Sequence, residues 1–92
     1  MKFTYHTRGT CSSQIDFEID EHGILRDVRF TDGCSGNLQG ISMLVRGMRA
    51  EEVADKLQGI PCGYKGTSCP DQLARALREA LAVLAEQTTK NE

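Results

Sequence analysis

The chain lacks most of the features that give away a small protein's role. Lys and Arg are scattered, and the formal net charge is −2. That argues against nucleic acid as a partner, because phosphate binding rests on clustered positive charge. No apolar run approaches the roughly 20 residues of a membrane span. The opening run from Met1 to Arg8 is too polar for a signal-peptide core. A cytoplasmic protein with no membrane segment is therefore expected. There is no internal repeat, low-complexity tract or linker, and no Ser/His/Asp set or paired carboxylate stands out. The only histidines are His6 and His22. His22 lies in a polar turn and reads as solvated, and His6 is a ligand only if its strand points it at other donors.

What the chain does have is four cysteines in 92 residues. The length suits one domain, 1–92, with a thin core. Domains of this size bury only about 60–70% of the unfolded chain's surface and often lean on a metal or disulfides. Stable disulfides are rare in the cytosol, so spaced cysteines there read as metal ligands or redox groups.

Gln14 to Asp20 alternates strictly, with Ile15, Phe17 and Ile19 on one face, which is the period of a half-buried strand. Glu21-His22-Gly23 reads as a turn and Ile24 to Thr31 as a second strand, giving an antiparallel hairpin. Phe3 and Tyr5 alternate with Thr4 and His6, so residues 2–8 make a third strand. After Asp32-Gly33-Cys34-Ser35-Gly36 the period changes. Leu38, Ile41, Leu44 or Val45, and Met48 recur at helical spacing, with Gly47 as the stop. A second helix is expected from Ala50 to Gln58, with Val53 and Leu57 inward and Gly59 ending it. Ile60 to Ser68 reads as a loop. The last helix runs from near Pro70 to about Gln87 with Leu73, Leu77, Leu81 and Leu84 as its stripe, followed by a frayed tail over 88–92. Ser68 and Asp71 have capping-box spacing. Strands first and helices after predict an α+β fold, with about three helices on one face of a small three-stranded antiparallel sheet.

Cys11, Cys34, Cys62 and Cys69 all fall in expected loops or at helix starts, a poor fit to plain core packing. Cys34 and Cys69 each precede a helix, where unpaired N–H groups and the dipole favour negative charge. The glycines beside Cys34 and Cys62 let the backbone come close to a ligand. There is no Cys-x-x-Cys knuckle, and only Cys62 and Cys69 are near in sequence. Three readings follow from the residues: a shared metal site, a redox pair of Cys62 with Cys69, or inert thiols. Ser12, Ser13, Ser35 and Ser68 beside the cysteines are candidates to hydrogen-bond sulfur and tune such a centre. Gly33, Gly36 and Ser68 are the candidate cofactor-binding residues. The Gly-Cys-Ser-Gly turn before a helix also suits an anion, so a nucleotide or flavin is an alternative ligand, although the lysine of a P-loop is missing. Asp32 is a candidate oxygen ligand, Asp71 a helix-start residue, and Arg46, Arg49, Arg75 and Arg78 solvated helix faces.

Thr67-Ser68-Cys69-Pro70-Asp71 spells the motif of the TSCPD-domain family, and Gly33-Cys34-Ser35-Gly36-Asn37-Leu38 and Cys62-Gly63 also resemble it. That family includes small four-cysteine proteins and C-terminal segments of adenosylcobalamin-dependent ribonucleotide reductases. The resemblance implies metal binding, and an accessory or thiol-redox role beside a ribonucleotide reductase as an alternative. A 92-residue chain has no room for the reductase barrel. From Gly9 to Leu84 the chain is also similar, more distantly, to the U-type (NifU-like) iron–sulfur scaffold proteins. Cys11 stands before a hairpin strand, Gly33-Cys34 at the hairpin's end and Cys69 at the start of the last helix. That resemblance implies that these three converge on one site for zinc or an iron–sulfur cluster. It departs from the scaffold pattern at Ser13, where the scaffold has aspartate, and at Ser68, where it has histidine. Cys62 is extra, and would complete a closed four-thiolate set. The partner implied is a reductase or an iron–sulfur or sulfur-transfer protein, with a homodimer open.

Overall fold

The computed structural model describes the backbone of residues 1–7, 12–32, 35–60 and 67–90, and the side chains of these except 35–37 and 87–90. The first three elements are strands: β1 (Lys2–His6), β2 (Gln14–Ile19) and β3 (Leu25–Thr31), paired antiparallel in that order. Phe3 stands opposite Phe17 and Tyr5 opposite Ile15, while Ile15 faces Phe30 and Phe17 faces Val28 across the second ladder. Side chains alternate along a strand, so this register gathers every large apolar residue of the three strands on one face. Ile15, Phe17, Ile19 and Val28 are buried there. The Phe3 and Phe17 rings stack at 5.3 Å, an offset contact that adds to their burial. The opposite face carries Thr4, Asp16 and Arg29. The β2–β3 turn is held by Asp20, whose carboxylate accepts the N–H groups of His22 and Ile24 at 2.8 and 3.0 Å.

Three helices follow: α1 (Ser35–Val45), α2 (Ala50–Leu57) and α3 (Cys69–Lys90). α1 packs against β3, burying Leu38 and Val45 and leaving Leu44 78% exposed. Of the two positions the helical period allowed, the structure therefore turns Val45 inward. Met48 lies beyond the helix, in a link that returns to the sheet. There Leu25 N–H donates to Met48 O and Gly47 N–H to Leu25 O, both at 2.8 Å. Periodicity alone does not show this short pairing, because it is made by backbone.

Gly47 makes the turn into this link with φ of 88°, a region costly for residues with a Cβ. Nothing lies within 4 Å of where that Cβ would sit, so a substitution is penalised by the backbone alone. Gly47→Ala is expected to lower stability by about 1–2 kcal/mol, read as a lower urea midpoint with an unchanged slope. An unchanged midpoint would mean that the link takes another path.

α2 and α3 pack on each other and on the apolar face of the sheet. Leu73 and Leu77 are fully buried, and Leu81 and Leu84 are half-buried, as their spacing predicts. Ala50, Ala54, Ala74, Ala76 and Ala80 are buried beside them. Alanine at these positions lets backbones approach closely. α3 begins one residue before Pro70 and runs to Lys90, past the expected end at Gln87 and into the stretch expected to fray. The result is the expected α+β arrangement, a three-stranded antiparallel sheet followed by three helices. Among the described residues no helix is long and apolar enough to cross a membrane.

Candidate functional site

Residues 67–71 form the start of α3, and each has a structural task. Ser68 is the cap: its hydroxyl accepts the Asp71 N–H at 3.1 Å and donates to Ile60 O at 2.5 Å. The Ser68 carbonyl accepts the Gln72 N–H at 2.8 Å. Pro70 brings no N–H to a helix end where such groups lack helical partners. Asp71, 1% exposed, accepts the Gly59 N–H at 2.7 Å and the Thr67 hydroxyl at 2.5 Å. Arg75 adds an ion pair at 3.0 Å. The Thr67 hydroxyl, followed by the Gly59 N–H and the Arg75 guanidinium, holds the Asp71 carboxyl below its ordinary range against the opposing effect of burial. The capping-box half that Ser68 makes is the expected one. The carboxylate of Asp71 reaches across to Gly59 and ties the chain just past α2 to the start of α3.

Cys69 is the first residue of α3 and is buried at 6% exposure. Its sulfur shares a hydrogen bond of 3.1 Å with the Ser12 hydroxyl. Ser12 is itself buried, and its carbonyl accepts the hydroxyl of Thr7. The next residue, Ser13, donates its N–H to Thr31 O at 2.9 Å and its hydroxyl to Asp32 at 2.9 Å. One end of the sheet thus brings together the exit of β1, the entry to β2, the exit of β3 and the start of α3. Ser12 meets the expectation that a serine beside a cysteine would bond a sulfur.

Cys11, Cys34, Cys62 and Gly33 lie outside the described residues, and Gly36 is described only as part of the α1 backbone. Among the described residues no three His, Cys, Asp or Glu side chains form a metal-holding group. Asp32, expected as a turn residue or oxygen ligand, sits at φ of 63° with its carboxylate on Ser13. His6 lies exposed opposite Gln14, and His22 is exposed in its turn beside Glu21. Arg75 and Arg78 are solvated on α3, Arg46 lies just past the end of α1 rather than on a helix face, and Arg49 just before α2, each beside a carboxylate.

A groove of about 460 Å³ runs between β3 and α1, lined by Phe30, Asp32, Leu38 and Met43 among others. Its cations, Arg29 and Arg46, both reach Asp27, at 3.7 and 2.9 Å. With Asp32 in the same lining the groove holds two carboxylates against two cations, which makes it a poor phosphate cradle.

Sequence spacing did not reveal the contact of Ser12 with Cys69 or of Asp71 with Gly59. A buried aspartate two residues after a cysteine had pointed only to a helix start. No curated protein and no solved structure matches the chain. The family model described as the TSCPD domain matches residues 2–81. That span takes in the whole sheet, α1, α2 and the clamped start of α3, and the chain belongs to the TSCPD-domain family.

Proposed function

We propose that Cys11, Cys34, Cys62 and Cys69 together hold one metal centre, zinc or an iron–sulfur cluster. The observation that carries this reading is the Ser12–Cys69 hydrogen bond. Neighbouring Cα atoms are only about 3.8 Å apart along a chain, and Cys11 directly precedes Ser12. Ser13, next along, is bonded to Asp32, which stands two residues before Cys34. Cys62 follows by two residues Ile60, whose carbonyl is bonded to Ser68 beside Cys69. Each cysteine therefore belongs to a segment whose described end meets the start of α3 or the serine pair against it.

The donor chemistry fits. The carboxylates nearest this end, Asp32 and Asp71, are engaged by Ser13 and by Gly59, Thr67 and Arg75. That leaves sulfur as the natural ligand, and four thiolates suit zinc or an iron–sulfur cluster. The Ser12 hydroxyl donates to the Cys69 thiolate and fixes its direction. Ser68 caps the helix that Cys69 begins, and Gly33 and Gly36 would let the chain approach the ligand closely. Zinc would supply a structural crosslink, and a cluster would supply electron transfer. An accessory role beside a reductase is the partner side of this proposal and predicts co-purification with the larger enzyme.

The test is to purify the protein without oxygen and measure zinc, iron and labile sulfide per chain, with a visible spectrum. The expected result is about one zinc and no colour, or iron with matching sulfide and visible absorption. Cys69→Ser and Cys11→Ser should each lose most of the metal while keeping the far-UV spectrum. A reduced, folded chain without metal overturns the proposal. Full stoichiometry in Cys11→Ser overturns the convergent four-cysteine site.

A further inference from the structure

β1 is the outer strand of the sheet, and among the described residues nothing pairs with its far side. Ile19 N–H donates to Met1 O at 3.0 Å and Thr7 N–H to Ser13 O at 3.2 Å. In an antiparallel ladder bonded and non-bonded pairs alternate. Met1, Phe3, Tyr5 and Thr7 therefore turn their backbone groups to β2, and Lys2, Thr4 and His6 turn theirs outward. The strand carries no proline, while its five-residue length and Lys2 blunt the edge only in part, which suits a weak pairing rather than a permanent one.

We propose that the chain forms a homodimer in which β1 pairs antiparallel with β1 of a second copy, about a two-fold axis at Thr4. This register sets Thr4 against Thr4 and Lys2 against His6, and every outward N–H and C=O of both strands gains a partner. Phe3 of one copy then faces Tyr5 of the other, in the non-bonded positions where side chains come closest. Both aromatics are half-buried in one copy alone. With Ala76, Ala80 and Val83 of α3 they line a depression of about 100 Å³, and Val83 is 41% exposed. The edge is thus complementary to itself in backbone, in aromatic pairing and in the apolar strip behind it. Asp16 and Glu18 lie one strand in, on β2, so neither is a direct partner across the seam, and Glu79 is the one carboxylate that lines the depression. A five-residue strand with this depression falls short of the roughly 1,200 Å² that a stable interface buries. Dissociation in the micromolar range is therefore expected. The proposal does not depend on the cysteines.

The test is sedimentation of the reduced protein from about 1 to 500 μM, bracketing the micromolar affinity expected from the interface size. The expected result is a shift from 10.2 kDa to about twice that mass. Thr4→Pro removes the outward N–H at the dyad and leaves the backbone bonds of the β2 ladder, losing only the Thr4 hydroxyl bond to Asp16. It should weaken the dimer by roughly tenfold or more, whereas Thr4→Val, which loses that hydroxyl alone, should leave the dimer in place. Amide exchange by NMR on the unmodified chain gives a readout that does not depend on a variant folding. Protection of the Lys2, Thr4 and His6 amides should rise with concentration, while that of Phe3 and Tyr5 stays constant. A monomer throughout the range overturns the proposal. So does a dimer whose Thr4 amide gains no protection.

Discussion

Asp71→Ala is expected to lower the free energy of unfolding by about 3 kcal/mol, although it removes no apolar contact. The carboxylate is 1% exposed and accepts from Gly59 N–H, Thr67 and Arg75. Its removal leaves the Gly59 N–H without this partner and unties the end of α2 from the start of α3. A hydrogen bond to a charged group contributes about 1.5–3 kcal/mol, and this carboxylate accepts several at once. Urea unfolding of the variant measures the loss, and a change below about 1 kcal/mol would mean that water replaces the carboxylate.

The same residue predicts a pH signature. Its folded pKa lies below the ordinary 3.8, so its contribution is fully present above that value. The contribution disappears as pH falls through the depressed folded pKa. The gap between wild type and Asp71→Ala should therefore be constant from pH 7 to about 5 and close below about 4. Asp16, Asp20 and Asp27 are lowered too, by hydrogen bonds led by Thr4, the Ile24 N–H and Arg46 respectively. An acid limb should consequently persist in the variant.

Leu77→Ala should cost about 3–4 kcal/mol. Leu77 is fully buried among Ile15, Phe17, Val53 and Leu73 in the core cluster. Truncation there removes apolar surface and leaves a cavity that α2, α3 and the sheet together must close. A domain of 92 residues has roughly 5–14 kcal/mol in all, so the variant forfeits a large share. At this size each kcal/mol shifts Tm by about 4–8 °C, and a fall of 12 °C or more by calorimetry is the expected reading. A drop under 5 °C would show that the helices collapse onto the gap.

The strands were the most legible part of the chain, for a physical reason. Ile15, Phe17 and Ile19 alternate with acidic residues, and only one pairing register puts them all under cover. The leucine stripe of α3 was equally plain. The alanines were not: Ala50, Ala54, Ala74 and Ala80 carry little hydrophobic signal, yet they line the core where backbones come close. The return of the chain at Met48 to β3 is a backbone matter, invisible to side-chain pattern. At the site, sequence showed which residues could matter, because cysteines and capping serines are distinctive. It did not show which meet, since Ser12 and Cys69 are joined by the fold and not by spacing.

That contact has a consequence in time. Ser12 and Cys69 are 57 positions apart in the chain, whereas the strand pairings close over short hairpins. Loops of that length close late, after local elements have formed. On an emerging chain the sheet could assemble while the last helix is still unmade, and the sulfur of Cys69 would arrive last. Protection of Cys69 from a thiol reagent during refolding would therefore report the final docking of α3 onto a sheet already in place.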